Sequence, residues 1–230
     1  MTEQLILELT PAPPPAFANF VAGRNGEALA ALVALGRRDA GERFVYLWGD
    51  AGGGRTHLLH ATVAAARGAG LQAQYIAAGD WPGRTFAADA LLAADDVDRL
   101  DAASQVALFD AFNRLKSGGG RLVAAGSASP RDLDLRDDLR TRLGSGLAFQ
   151  VHPLSDAEKS EAMRARARAR GMDLGDEMIA YLLARLPRDM GALAAVVDAL
   201  DRYSLARKRP LTIALAREAL ATLNDARVAQ

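Results

Sequence analysis

The 230-residue chain has no cysteine, three histidines, 6% aromatic residues and no net charge, its 28 basic and 28 acidic side chains cancelling. The lack of cysteine excludes disulfides and thiol chemistry and fits a reducing compartment. Zero net charge argues against a protein whose main task is gripping a phosphate backbone, because that binding needs concentrated basic charge. His57, His60 and His152 are scattered without metal-ligand spacing, and no serine, histidine and acid set stands out as a hydrolase. Neither a signal peptide nor an apolar run of membrane-spanning length is visible. The expectation is a cytoplasmic protein with no membrane partner.

Half of the residues are hydrophobic, enough for one large domain or a large one plus a small one. Apolar runs at Arg43–Trp48, Gln74–Ala77, Ala90–Ala94, Arg121–Gly126 and Leu147–Val151 read as strands. Helical patterns at Asn25–Gly36, Thr56–Arg67, Ala102–Lys116 and Asp137–Leu143 fall between them. This alternation predicts a parallel sheet covered on both faces. After His152-Pro153 the strand signal stops. Ser155-Asp156-Ala157-Glu158 is a capping box that opens a helix running to Arg170, with further helices expected over Asp176–Leu186, Asp189–Arg207 and Thr212–Leu223. The fold class is therefore α/β, a central parallel sheet followed by an all-helical domain. Three regions result: residues 1–15 a tail with a proline-rich linker, 16–153 the α/β domain and 154–230 the helical domain.

The run Gly49-Asp50-Ala51-Gly52-Gly53-Gly54-Arg55-Thr56 leaves the first strand and enters a helix. Its spacing is that of a phosphate-binding loop, with Arg55 where lysine is usual. Glycines allow several backbone N–H groups to face one anion, and the helix N-terminus adds its dipole. Thr56 would offer its hydroxyl to a magnesium ion, and Arg55 a planar fork in place of a point charge. Leu91-Leu92-Ala93-Ala94-Asp95-Asp96 is an apolar strand ending in two carboxylates. Asp95 would bind magnesium directly or through water, and Asp96 would orient an attacking water. These two motifs in this order define a P-loop nucleotide-binding domain, with the helical region as the lid of the AAA+ class.

Further segments carry a narrower resemblance. Phe17 to Asn25, including Phe20 and Val21, resembles the opening motif of the DnaA initiator, which lines the adenine pocket. Leu108 to Leu115 is similar to the helix after the acidic motif of that family, and Asp138 to Leu143 to the segment bearing its arginine finger. Arg142 takes the finger position, with Arg140 the nearest competitor. The resemblance runs from about Phe17 to Leu220, but the chain stops before a helix-turn-helix DNA-binding domain. A DnaA-like module without that domain, preceded by Gln4, Leu5, Leu7 and Leu9 in an extended tail, resembles the Hda family of regulatory inactivators of DnaA. The tail is either an edge strand or a docking peptide for the polymerase sliding clamp, with Glu8 where that peptide often has proline.

The resemblance implies DnaA and the clamp as partners, DNA contacted only through the clamp, possible self-association, and ADP or ATP with magnesium as ligand. It also implies a nucleotide pocket lined by Phe20, Val21, the loop glycines, Arg55, Thr56, His57, Asp95, Asp96, Ser127 and a lid arginine. Ser127 stands where the family carries a polar sensor, usually aspartate, and Gly191 where its second sensor arginine falls. Arg188, about one turn away, is a substitute unless the register shifts. These departures point away from vigorous hydrolysis and toward ADP as a structural ligand. The alternative is an autonomous AAA+ ATPase, loader or adaptor in DNA replication or repair. Arg164, Arg166, Arg168 and Arg170 read as a solvated face, because alternate helical residues lie about 200° apart, and Trp48 and Trp81 as packing residues.

Overall fold

The computed structural model describes residues 13–37, 41–81, 83–186 and 189–228, with side chains up to residue 222. It divides into two compact units, one spanning Pro15–Pro153 and the other containing Leu154–Gln230.

In the first unit five strands, β1 (Phe44–Trp48), β2 (Ala73–Ile76), β3 (Leu91–Ala94), β4 (Arg121–Gly126) and β5 (Leu147–Gln150), form one sheet in the order β2-β3-β4-β1-β5. Every pairing is parallel. The helices are α1 (Gly26–Leu35), α2 (Arg55–Gly68), α3 (Ala102–Gly118) and α4 (Asp137–Leu143). Alternation along the strands supplies two cores at once. Tyr46, Ile76, Leu92, Leu122 and Ala124 face the layer of α3 and α4, where Leu108, Phe112, Leu115 and Leu139 meet them. Val45, Leu47, Leu91, Ala93 and Val123 face the layer of α1 and α2, against Leu32, Leu58, Leu59 and Val63. Runs that are apolar at every position therefore serve strands buried on both sides. β3 and β4 have no exposed residue.

The second unit contains only helices among its described residues: α5 (Asp156–Arg168), α6 (Asp176–Leu183), α7 (Met190–Arg207) and α8 (Ile213–Val228). The predicted capping box forms, with Ser155 accepting from the Glu158 backbone N–H and the Glu158 carboxylate accepting from the Ser155 N–H. Met163, Ala167, Ile179, Leu182, Leu193, Val197, Leu200 and Leu215 make its core. Two expected helices end early: α5 stops at Arg168 rather than Arg170, and α6 at Leu183 rather than Leu186. Gly171, at φ +73°, lies in the left-handed conformation that favours glycine beyond a helix end.

Arg168 and Arg170 are exposed, as a solvated face requires, but all four arginines of α5 and its end carry acid partners. Arg164 pairs with Asp176 and Glu161, Arg168 with Glu161, and Arg166 with Asp198, while Arg170 reaches both Asp198 and Asp201. Arg166 holds Asp198 with two bonds of 2.7 and 2.6 Å. Glu161 belongs to α5 itself, whereas Asp176, Asp198 and Asp201 come from α6 and α7, elements that the run cannot reveal. Burial alone would raise the Asp198 carboxyl pKa, but the Arg166 bonds and the charges of Arg166 and Arg170 bring it below its ordinary value. Asp198→Ala should therefore cost this unit about 2 kcal/mol, read by chemical denaturation. Because the folded pKa is depressed, that stabilisation is present above the ordinary carboxylate value near 3.9 and disappears as pH falls below it. A melt indifferent to the substitution at neutral pH would remove this network from the stability account.

Candidate nucleotide site

The loop between β1 and α2 is shaped by its glycines. Gly49, Gly52 and Gly54 have φ of +140°, +80° and +96°. At Gly49 a Cβ would lie 2.4 Å from the Val151 carbonyl oxygen, and at Gly54 it would lie 2.8 Å from the Phe20 ring. At Gly52 it would meet nothing within 4 Å, so the loop is packed on its protein side and open on the other. α2 has Gly54 as its N-cap and no acidic residue in its first turn. Its first N–H groups and the positive end of its dipole thus remain for an anion.

Arg55 is half-buried, and its Nη1 is buried without a hydrogen-bond partner among the described residues. A buried cationic donor left unpaired is costly. Thr56 donates its hydroxyl to Asp95 Oδ2 at 2.7 Å. Asp95 is 3% exposed at the end of β3, and its Oδ1 accepts the Asp96 N–H at 3.0 Å. Asp96 turns the chain in a left-handed conformation, φ +47°, and pairs weakly with Arg99 at 3.5 Å. The residues present therefore fit a phosphate group with its magnesium ion. Gly52 to Thr56 would hold the phosphates, while Thr56 and Asp95 would hold the metal. Bound magnesium would neutralise phosphate charge.

The sheet register brings the remaining sensor position alongside. Trp48 pairs with Gly126 and Ala94 with Ala124, so Ser127 emerges between the loop and the acid pair. Ser127 does not present a free hydroxyl. Its Oγ donates to Asp98 Oδ2 at 2.7 Å, and its N–H to Asp98 Oδ1 at 3.2 Å. Asp98 supplies the carboxylate that the sequence reading found missing at Ser127. Beside it, Tyr46 donates to the Ala128 carbonyl at 2.9 Å. Burial and the Asp98 charge push the Tyr46 phenol upward, and the Arg55 charge opposes them.

Tyr75 is a second residue absent from the sequence reading. It donates to Asp95 Oδ2 at 2.8 Å, with its ring stacked on His60 at 4.0 Å between centroids. Burial and that bond raise the Tyr75 pKa. His57 points elsewhere: its Nε2 lies 3.1 Å from the Ala16 carbonyl, and its ring packs against Phe20 at 5.6 Å. The segment containing Phe20 and half-buried Val21 is thereby docked over the start of α2. Asn25 fastens its other end, its side chain accepting from the His152 N–H and donating to the His152 carbonyl, at 2.8 and 2.9 Å. Trp81 packs in the core.

Arg142 lies apart on α4, half-buried over the rings of Phe109 and Phe112, at 5.9 and 5.8 Å. It makes no ion pair among the described residues. Its neighbours do: Arg136 pairs with Asp138 at 2.8 Å and Arg140 with Asp137 at 2.6 Å. Gly191 is exposed in the first turn of α7. Arg188, Gln4, Leu5, Leu7 and Leu9 lie outside the described residues. A cleft of about 300 Å³, lined by Arg43, Phe44, Phe112 and Lys116, opens at the start of β1, the end of that strand remote from the loop.

A five-stranded parallel sheet with a glycine loop after β1 and acids after β3, followed in the chain by an all-helical unit, is the fold of AAA+ P-loop domains. Residues 156–220 match the family model described as Hda, lid domain. The fold is shared with domain III of the Thermotoga maritima replication initiation protein DnaA (TM-score 0.71, 23% identity, covering 94% of this chain and 98% of that one). It is also shared with AMPPCP-bound DnaA from Aquifex aeolicus (0.66, 23%, 85% and 70%). A point mutant of Thermotoga maritima RuvB resembles it less (0.64, 19%, 92% and 73%). The chain therefore shares its fold with the DnaA and RuvB structures, and its residues 156–220 resemble the Hda lid domain. Among the described residues no helix is long and apolar enough to cross a membrane.

Proposed function

We propose that this protein is a negative regulator of replication initiation that stimulates hydrolysis of ATP bound to DnaA, with Arg142 as the finger acting in trans. The observation that carries the reading is the state of the α4 arginines. Arg136 and Arg140 are neutralised by neighbouring acids, whereas Arg142 rests on aromatic faces without an acid partner among the described residues. A cation held this way keeps its charge for an incoming phosphate. The Hda lid domain points to DnaA as the partner, and the Aquifex aeolicus DnaA that shares this fold is AMPPCP-bound.

In this reading the protein's own nucleotide is a structural ligand, ADP with magnesium, and the chemistry belongs to the partner. The Ser127 hydroxyl is occupied by Asp98, which removes a donor from the γ-phosphate side and adds a negative charge there. That arrangement favours a diphosphate over a triphosphate. Gln4, Leu5, Leu7 and Leu9 would bind the sliding clamp, so that DNA is reached through the clamp. Conversion of DnaA to its ADP form would then limit initiation to one round. An autonomous ATPase or loader is the second reading, favoured by the Thr56–Asp95 contact.

The deciding assay is phosphate release from ATP-bound DnaA, with this protein, its sliding clamp and DNA each omitted in turn. Stimulation that needs both this protein and the clamp is expected. Phosphate release from this protein alone, equal to that of the complete mixture, would favour the second reading.

A further inference from the structure

Taking the nucleotide reading as its basis, we infer that Tyr75 is a positioning residue that holds the Asp95 carboxylate and competes with magnesium for it. A carboxylate offers about four acceptor sites. Three on Asp95 are already used: Thr56 and Tyr75 both donate to Oδ2, and the Asp96 N–H donates to Oδ1. One site remains for the metal or its water shell. The Thr56 contact is compatible with metal binding, since a hydroxyl that donates its proton to a carboxylate still offers an oxygen lone pair to a cation. Tyr75 has no such double use. Its bond to Asp95 spends an acceptor site and spreads the negative charge that would attract the metal. The His60 ring stacked on Tyr75 fixes the phenol in place, and the strand pairing of Tyr75 with Ala93 sets it beside the residue two before the acid. Asp95 would therefore serve magnesium, directly or through water, at reduced strength, and the nucleotide would be held mainly by the loop.

Tyr75→Phe tests this, since it deletes one oxygen and keeps the ring stack. Fluorescence titration with N-methylanthraniloyl-ADP is run first in EDTA and then across a magnesium series, for the full chain and the variant. The expected result is equal affinity in EDTA, a magnesium-free melting temperature lowered by a few degrees for the lost bond, and a magnesium midpoint about tenfold lower in the variant, the size of one charge-assisted hydrogen bond. An unchanged midpoint, or a higher one because the carboxylate has lost its prop, overturns the inference while leaving nucleotide binding intact. If neither protein binds the probe in either buffer, the nucleotide reading falls and this inference falls with it.

Discussion

Arg142→Ala should lower stimulated hydrolysis of DnaA-bound ATP by about 10³-fold or more, the range that an arginine finger supplies in phosphoryl transfer. The loss should be confined to the partner reaction. Within this protein Arg142 gives up only its placement over Phe109 and Phe112, worth about 0.5–1 kcal/mol at an accessible site. Folding, nucleotide affinity and clamp affinity should be close to unchanged. Arg140→Ala is the matched control, because Arg140 lies two positions away and is committed to Asp137. Its removal breaks an exposed pair of little worth and should alter the rate by less than threefold. Single-turnover phosphate release at saturating protein separates the two. If the losses are reversed, the finger is Arg140. If neither substitution matters, stimulation in trans does not run through α4.

Gly49→Ala should remove nucleotide binding and destabilise the first unit by about 2–5 kcal/mol, from two separable causes. The backbone at φ +140° is strained for any residue with a Cβ. The added Cβ would also lie 2.4 Å from the Val151 carbonyl oxygen, a backbone atom. Val151 has little room to yield, since its N–H is bonded to the Trp48 carbonyl at 2.6 Å. Overpacking of this kind costs about 1–3 kcal/mol in addition to strain. Gly52→Ala isolates the first cause, because φ there is +80° but nothing lies within 4 Å of the added atom. It should cost about 1–2 kcal/mol. Denaturant titrations of both variants provide the comparison, and equal losses would mean that contact with Val151 is relieved without penalty.

The fold was legible because its signals are local. Strands buried on both faces read as apolar runs, and the Gly49–Thr56 loop and the Ser155–Glu158 box announce themselves by fixed spacing. The pairings that decide the chemistry carry no such spacing. Tyr75 and Asp95 are 20 residues apart and Asp98 and Ser127 are 29 apart, joined only by the register of β2, β3 and β4. A serine in the sensor column therefore reads as a missing charge, although the charge is present one strand away. The acid partners of the α5 arginines are illegible for the same reason, since Asp176, Asp198 and Asp201 reach them from other helices.

Asn25 gives the first unit a fixed exit. Its amide grips both backbone atoms of His152, one residue before the chain leaves that unit at Pro153. The side chain substitutes for a missing strand partner and ties the exit to the segment beginning at Phe17, which docks over the phosphate loop. Mechanically, that is an anchored cable end: the last residue before Pro153 cannot shift without breaking two bonds to the segment that begins at Phe17.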